Sequence, residues 1–591
     1  MSGSASVRPH VLAVAAGVAV FFCHVLWSES SFQYDDIHSI ANNPHIRQLG
    51  NVPQFFVRSD MFSEHSWGRM YRPLVLSTYA VNHAIGGLDP AGYGWMNCLL
   101  HGTASGLVVA ALALLGTTAP WAAVGGLAFG LLPVNVEVAH YISSRSESLS
   151  AVFLLISLIA YVRYAVDEYR PGTRLAVSLA AFCAALLAKE SAVILPLLLL
   201  GYEVFAADGD GSSRERVRRC LPRQAGHWVL AAAYVALMRH HVLRATLEDP
   251  ARGLVAQVAT QVKAWVYYLG LLWMPTHLSV EHRFRISSDL AEPPVLLAGL
   301  MLICVLSLAL AVGQRPRPWL FWLWWAGAAL LPTSVVPLNV LVNEHRLYLP
   351  SVAFVALTVS LFRGLGCRRP TASAIGVVVA LLFYGVLSAQ RSAVWADAGA
   401  LWGDALAKGP RMPRPHLFMG DHYDRIGDQA AALSQYDSAL SVYPQALSPG
   451  DRLAIHNNRG AALLALGRFP EAVEAYQAAL RYDPTYTKAR DALEGLLAVG
   501  GAERAPEAAR LHKQGMALMI QGRVGEAARR FEGSLAMQSW PETWLSLGMA
   551  YERMEEWEQA RVAYRSLRIA GAGTAFEETA IRRLSLLGER P

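Results

Sequence analysis

Long apolar runs follow one another through the first two thirds of the chain and then stop. A helix needs about 20 residues to cross a hydrocarbon core of about 30 Å. Eleven segments qualify, at 10–27, 97–115, 120–138, 149–166, 174–188, 191–206, 226–243, 293–313, 318–338, 347–363 and 371–389. The first is preceded only by Arg8 and followed by no A-x-A cleavage pattern, so it reads as an uncleaved span rather than a signal peptide. A twelfth run, 263–279 (KAWVYYLGLLWMPTHLS), opens with Lys263, breaks near Pro275 and is dense in Trp and Tyr. Those are marks of a segment lying at the interface.

Arginine placement decides between the two topologies. With Arg8 inside, the loop 207–225 is also inside and carries Arg214, Arg216, Arg218, Arg219 and Arg223. If 263–279 does not cross, five further arginines (Arg315, Arg317, Arg363, Arg368 and Arg369) lie inside; if it crosses, three do (Arg283, Arg285 and Arg346). The positive-inside rule therefore favours eleven spans, a cytoplasmic amino terminus and a carboxyl-terminal domain on the opposite side. That side is periplasmic in a bacterium and luminal in a eukaryote.

The expected organisation is a membrane domain over 1–389 and a soluble, Ala-rich domain over 390–591. The second is a repeat array with a period near 34 residues. Gly460, Gly467, Ala472, Tyr476, Ala479 and Pro484 recur 40 residues earlier as Gly420, Gly427, Ala432, Tyr436, Ala439 and Pro444. Gly515, Gly522, Ala527 and Phe531 form a third copy, and Trp544, Gly548, Tyr551, Ala560 and Tyr564 a degenerate fourth. This is the tetratricopeptide pattern, with repeats expected near 414–447, 453–486, 508–541 and 541–574. Small residues let the helices of each hairpin approach and aromatics fill the gap between hairpins. The fold class is all-α, a polytopic membrane domain followed by an α-solenoid whose concave face suits an extended polypeptide.

Composition agrees: 54% of residues are hydrophobic and 16% charged, against about 25% charged in a soluble domain. The net charge of +6 is mild for 591 residues, and no dense basic stripe accompanies it, which excludes a nucleic-acid partner. Arginine supplies nearly all the basic residues, which points to a GC-rich bacterial genome and an inner-membrane location. The six cysteines are scattered and none lies in the last 200 residues, which removes a zinc ribbon or a disulfide framework there.

Ionisable residues at the edges of apolar spans are costly and usually functional. Under the eleven-span topology they collect on the outer side. Asp35 and Asp36 follow the first span, with Arg72 later in the same loop and His101 at the start of the next span; Glu137, Arg145 and Glu147 sit in VNVEVAHYISSRSES. Lys189 and Glu190 form a very short loop, and Glu344, His345 and Arg346 enter a later span. Arginine and lysine can hold a phosphate, and a carboxylate near a hydroxyl can act as a general base. No metal-ligand spacing is present, although an acid pair such as Asp35 and Asp36 could hold a divalent cation; the reading requires no cofactor.

The stretch FQYDDIHSIANNPHIRQLGNV…MYRPLVLSTYAVN…MNCLLHG resembles the transmembrane and tetratricopeptide-repeat-containing protein O-mannosyltransferases. LPVNVEVAHYISSRSESL, AKESAVILPLLLLGYE and NEHRLYLPSVAF are similar to that family's later motifs, in the same order, and repeats follow as in the family. The resemblance implies a glycosyltransferase-C membrane fold. It further implies inverting transfer of a sugar, mannose or another hexose, from a polyprenyl-phosphate donor to a hydroxyl on the non-cytoplasmic side. The base carries over to Asp35 or Asp36 without a choice between them, and Arg72, His101, Glu137, Arg145, Glu147, Lys189, Glu190, Glu344, His345 and Arg346 to substrate or donor-phosphate binding. Peptide-binding repeats favour Ser or Thr of a protein as acceptor. The alternatives are transfer to a lipid or glycan, or a membrane scaffold without activity, for which Asp35 and Asp36 would be dispensable.

Overall fold

The computed structural model describes residues 8–27, 31–64, 70–166, 170–207, 213–238, 252–311, 318–366, 369–498 and 505–588. Arg315, Arg317 and Arg368, which entered the topology reading, lie outside them. Among the described residues every regular element is helical. The chain divides into two compact units, Met1–Lys408 and Gly409–Pro591.

In the first unit, seven helices are long and apolar enough to cross a membrane, or eight if the bent pair Ala119–Gly130 and Pro133–His140 counts as one span. This is an integral membrane protein. Four of the eleven expected spans fall short of that criterion for visible reasons. Residues 190–206 are divided into a 3₁₀ turn, the short helix Leu195–Gly201 and a π turn. Helix Ser213–Met238 begins with a run of arginines, helix Pro318–Val335 has a shorter apolar part, and the 119–140 region is bent by 53°. The run 263–279 is helical only through Trp273, as the end of helix Leu254–Trp273.

Helix Pro9–Trp27 lies against helix Pro90–Leu114 across three glycines. A Cβ on Gly102 would sit 2.5 Å from the Gly17 carbonyl oxygen, and one on Gly106 2.7 Å from that of Ala13. Bare backbone faces are how helices gain van der Waals contact where lipid supplies no hydrophobic drive. Residues 31–64 fold into short π, 3₁₀ and α turns with a small core of their own, where Ile40, Ile46, Phe55, Met61 and Phe62 pack on Val75, Leu76 and Tyr79 of helix Pro73–Gly86. Ile142, Leu149 and Ala188 join this cluster, so burial of apolar side chains helps bring three sequence-distant loops together.

The second unit contains helix hairpins Pro413–Arg425 with Gln429–Val442, Pro449–Ala465 with Phe469–Tyr482, Ala505–Ile520 with Val524–Met537, and Pro541–Arg553 with Trp557–Ala570. In each hairpin a glycine faces an aromatic ring: a Cβ on Gly420, Gly460, Gly515 or Gly548 would come within 2.8 Å of the ring of Tyr436, Tyr476, Phe531 or Tyr564. Helix Ala398–Lys408 belongs to the first unit.

Because the neighbour at Gly102 is backbone and cannot move aside, Gly102→Val is expected to destabilise the membrane unit by about 1–3 kcal/mol. A thermal midpoint in detergent no lower than the parent's would contradict the packing.

Candidate active site

The first acidic pair splits into two environments. Asp36 is buried. Its carboxylate accepts from the Gln33 backbone N–H at 3.0 Å, from the Ser143 N–H at 2.7 Å and from the Ser143 hydroxyl at 2.5 Å. It is a brace between the first outer loop and the 142–147 turn. Burial pushes Asp36 up to about 7, against the pull of the Ser143 and Gln33 donors.

Asp35 is the member with reach, its side chain 43% exposed. Its Oδ1 lies 3.4 Å from His38 Nε2, and His38 Nδ1 lies 3.0 Å from the Ser63 hydroxyl. Its backbone N–H donates to the Tyr141 hydroxyl at 3.1 Å, and the Tyr141 ring stacks on Trp395 at 5.4 Å. Tyr34, just before it, has φ +49°. A non-glycine residue in that region costs of order 1–3 kcal/mol and persists only where surroundings enforce it.

Six of the other expected site residues are drawn into ion pairs, as one fork and one chain. Arg72 makes a two-bond fork to Glu190, Nη2 to Oε1 at 2.7 Å and Nε to Oε2 at 3.1 Å, and its Nη1 lies 3.3 Å from the Ser146 hydroxyl. Lys189 pairs with Glu147. The Glu147 carboxylate is 3.9 Å from His345 Nε2, and His345 Nδ1 is 2.7 Å from Glu137 Oε1. Arg346 stands beside the chain: its charge and those of Lys189 and Arg72 all bear on the His345 ring. The acids connect to this chain through the 142–147 turn, since Ser143 binds Asp36 and Ser146 binds Arg72.

Three expected site residues are placed elsewhere. Arg145 is buried without exposure and spends its fork internally, Nε on Asn97 Oδ1 at 2.8 Å, Nη1 on Asn82 Oδ1 at 2.6 Å and Thr78 Oγ1 at 3.0 Å, and Nη2 on the Tyr93 carbonyl at 2.9 Å. The Tyr79 ring covers the guanidinium at 4.7 Å. It is a structural brace with no face turned to a ligand. His101 is also buried, its Nε2 donating to the Gly130 carbonyl at 3.0 Å and its Nδ1 facing the Tyr348 hydroxyl at 2.8 Å. Glu344 turns away from its neighbour His345, to Arg391 at 3.2 Å and His282 at 3.5 Å.

Sequence reasoning missed His38, Tyr141, Ser143 and Ser146, which lie within the quoted motifs, and Ser63, which lies between two of them. It also missed Arg391, which falls just past the point where apolar runs end. Among the described residues no group of three or more His, Cys, Asp or Glu side chains is arranged to hold a metal ion.

A helical membrane unit with charged side chains gathered between its loops, followed by a helical repeat array, is the class of protein this defines. The tetratricopeptide repeat family model matches residues 454–486. The chain is similar over most of its length to protein O-mannosyl-transferases of the TMTC group. With human protein O-mannosyl-transferase TMTC4 it is 22% identical over 492 residues, covering 73% of this chain and 66% of the relative. With human TMTC2 it is 29% identical over 206 residues, 33% of this chain and 23% of the relative. In both cases the matched part is less than two thirds of the relative's length. Among solved structures, ArnT from Cupriavidus metallidurans bound to undecaprenyl phosphate matches over 79% of both chains at 15% identity and TM-score 0.37, too low for any inference about this chain.

Two outcomes follow from the braces. Arg145→Met would leave Asn97, Asn82, Thr78 and the Tyr93 carbonyl without their buried donor, at about 1–3 kcal/mol for each unmade bond; a fall in detergent stability well above that of Arg72→Met is expected. For Asp36, the folded state holds its proton up to about 7, whereas an unfolded aspartate releases it near 4. Its contribution to stability is therefore complete at the acid end and is lost as pH rises toward and past 7. The parent's thermal midpoint should fall from pH 5 to pH 8 more steeply than that of Asp36→Asn; parallel curves would refute the shift.

Proposed function

We propose that the chain is an inverting glycosyltransferase that moves mannose or another hexose from a polyprenyl-phosphate donor to a hydroxyl of Ser or Thr in a protein, on the non-cytoplasmic side of the membrane. The observation that carries this reading is that one exposed carboxylate, Asp35, is held by the same 141–147 turn that meets Arg72 and, through Glu147, Lys189. The similarity to proteins named O-mannosyl-transferases supports it.

In this mechanism the acceptor hydroxyl approaches Asp35, which takes its proton as the oxygen attacks the anomeric carbon from the face opposite the phosphate. His38, held by Ser63, fixes the carboxylate on one side, and the Tyr141 hydroxyl fixes its backbone on the other. The glycosidic bond to the phosphate oxygen breaks with inversion, and Arg and Lys side chains of the cluster stabilise the departing lipid phosphate. Asp36 keeps the loop in register through Ser143. The repeat unit binds the extended acceptor polypeptide, outside the cytoplasm, while the amino terminus is cytoplasmic.

The test is mass analysis of glycans on non-cytoplasmic proteins from cells carrying the parent gene, a deletion, or Asp35→Asn at normal expression. A general base contributes on the order of 10²–10⁴-fold, so hexose increments on Ser and Thr should fall at least about a hundredfold in Asp35→Asn and vanish in the deletion. An Asp35→Asn strain that keeps what the deletion loses removes Asp35 as base. If no strain differs, protein glycosylation falls, and a lipid or glycan acceptor or a scaffold takes its place.

A further inference from the structure

In a simple repeat array each hairpin touches only its neighbours. The second hairpin, Pro449–Ala465 with Phe469–Tyr482, breaks that rule. Its turn and the start of its second helix are met by three later segments. Gly467, in the turn, has φ +72° and lies so close to helix Ala575–Leu586 that a Cβ there would sit 2.4 Å from the Phe576 ring. Trp540, just before the fourth hairpin, is buried in one apolar cluster with Val473 of the second hairpin and Ala508 and Ala509 of the third, and Phe469 packs against that cluster. Lys513 of the third hairpin reaches Glu474 at 3.1 Å. The later hairpins and helix Ala575–Leu586 thus close on the second hairpin.

One carboxylate sits beside this closure with an unmatched oxygen. Glu542 lies in the first turn of helix Pro541–Arg553, two residues after Trp540, and its side chain is only 19% exposed. Among the described residues its buried Oε2 finds no hydrogen-bond partner. Its Oε1 lies 3.9 Å from Nε2 of His512, whose Nδ1 is 2.9 Å from the Thr543 hydroxyl. Burial lowers His512 to about 4, so the ring is neutral and offers Glu542 no charge.

The charges that bear on Glu542 come from the second hairpin. Glu471 opposes its ionisation and Arg468 favours it, and these two are themselves paired at 2.6 Å. The acids and bases of the other neighbouring helices are engaged elsewhere. Glu526 of helix Val524–Met537 pairs with Arg523, Glu558 of helix Trp557–Ala570 with Arg561, and Arg583 of helix Ala575–Leu586 with Glu552. Burial first, and the Glu471 charge second, push Glu542 up to about 7.

A buried carboxyl group with an unmatched oxygen is tolerated when protonated and is costly when charged. We propose that Glu542 is the proton-operated catch of a clasp: neutral, it lets the fourth hairpin and helix Ala575–Leu586 close on the second hairpin, and charged, it releases them. Gly467 and Phe576 are the jaws, an apolar contact that is lost as soon as the segments part. The folded chain holds the Glu542 proton up to about 7, whereas an exposed glutamate releases it near 4.5. Closure is therefore fully favoured at the acid end and weakens as pH rises toward and past 7. The array has two shapes, chosen by the pH of its compartment, and this holds whether or not the chain is a transferase.

The test is hydrogen–deuterium exchange with peptide mass analysis on the purified full chain in detergent, at pH 6 and pH 8, with protection normalised to the intrinsic exchange rate at each pH. In the parent, protection of residues 467–474 and of helix Ala575–Leu586 should fall about tenfold from pH 6 to pH 8. Glu542→Gln, which cannot ionise, should keep the parent's pH 6 protection at both pH values. Phe576→Ala, which removes a jaw at a half-buried position, should show low protection of residues 467–474 at both. Asp421→Asn, at the other carboxyl group of this unit that burial holds high, should keep the parent's step. A parent without a step overturns the clasp, as does a Glu542→Gln or Phe576→Ala chain that repeats the parent's step. Loss of the step in Asp421→Asn moves the titration to Asp421 and removes Glu542 as the catch. A fall in protection spread evenly over all four hairpins overturns the clasp in favour of general loosening.

Discussion

A guanidinium taken wholly out of water must find an acceptor for its donors or the fold does not form. Arg145 meets that demand with Asn97 and Tyr93 of helix Pro90–Leu114 and with Thr78 and Asn82 of helix Pro73–Gly86. Two helices and the start of helix Arg145–Val166 are therefore fixed relative to one another by one side chain. Everything chemically interesting hangs from the turn just before and after it: Ser143 holds Asp36, Tyr141 holds the Asp35 backbone, Ser146 meets Arg72, and Glu147 meets Lys189. Arg145 positions the cluster by being unavailable to a ligand.

The same principle sorts the remaining charges. Where a carboxylate lies within reach, a cation at the membrane edge is paired with it, and the pair costs less than either group alone. That gives the chain from Glu137 through His345 and Glu147 to Lys189, and the fork from Arg72 to Glu190. The internal braces repeat the logic with neutral partners. His24 and His101 both contact the Gly130 carbonyl, which fixes the bent region after helix Ala119–Gly130 against the first two long helices. Since a carbonyl only accepts, both rings carry a proton on Nε2.

The repeat unit follows a different rule. Its stability comes from glycine faces closing on aromatic rings, with few buried charges to satisfy, and Gly420 against Tyr436 is repeated in kind at Gly460, Gly515 and Gly548. One polar departure is Asp421, half-buried, which accepts from the Tyr436 hydroxyl at 2.9 Å and Asn458 at 2.8 Å. Burial pushes it up to about 6. This bond set ties neighbouring hairpins where packing alone would allow them to slide.

Much was legible without coordinates. Apolar runs of about 20 residues fix a membrane domain because the bilayer admits little else, and a 34-residue glycine and aromatic period fixes the solenoid because each hairpin needs that small-to-large fit. The motifs also located the charged residues that collect at the loops. What they could not assign was partnership. Arg145 and Arg72 look alike in sequence, yet one is consumed by buried amides and the other forks to a carboxylate. Asp35 and Asp36 are adjacent, yet backbone direction turns one to Ser143 and leaves the other open beside His38. The span count also depended on where helices break, through turns such as those at 190–206 that hydropathy averages away. Residue type and spacing determine which groups are present and on which kind of surface; only the folded chain decides which charge is cancelled, because cancellation depends on distances across segments that no local pattern encodes.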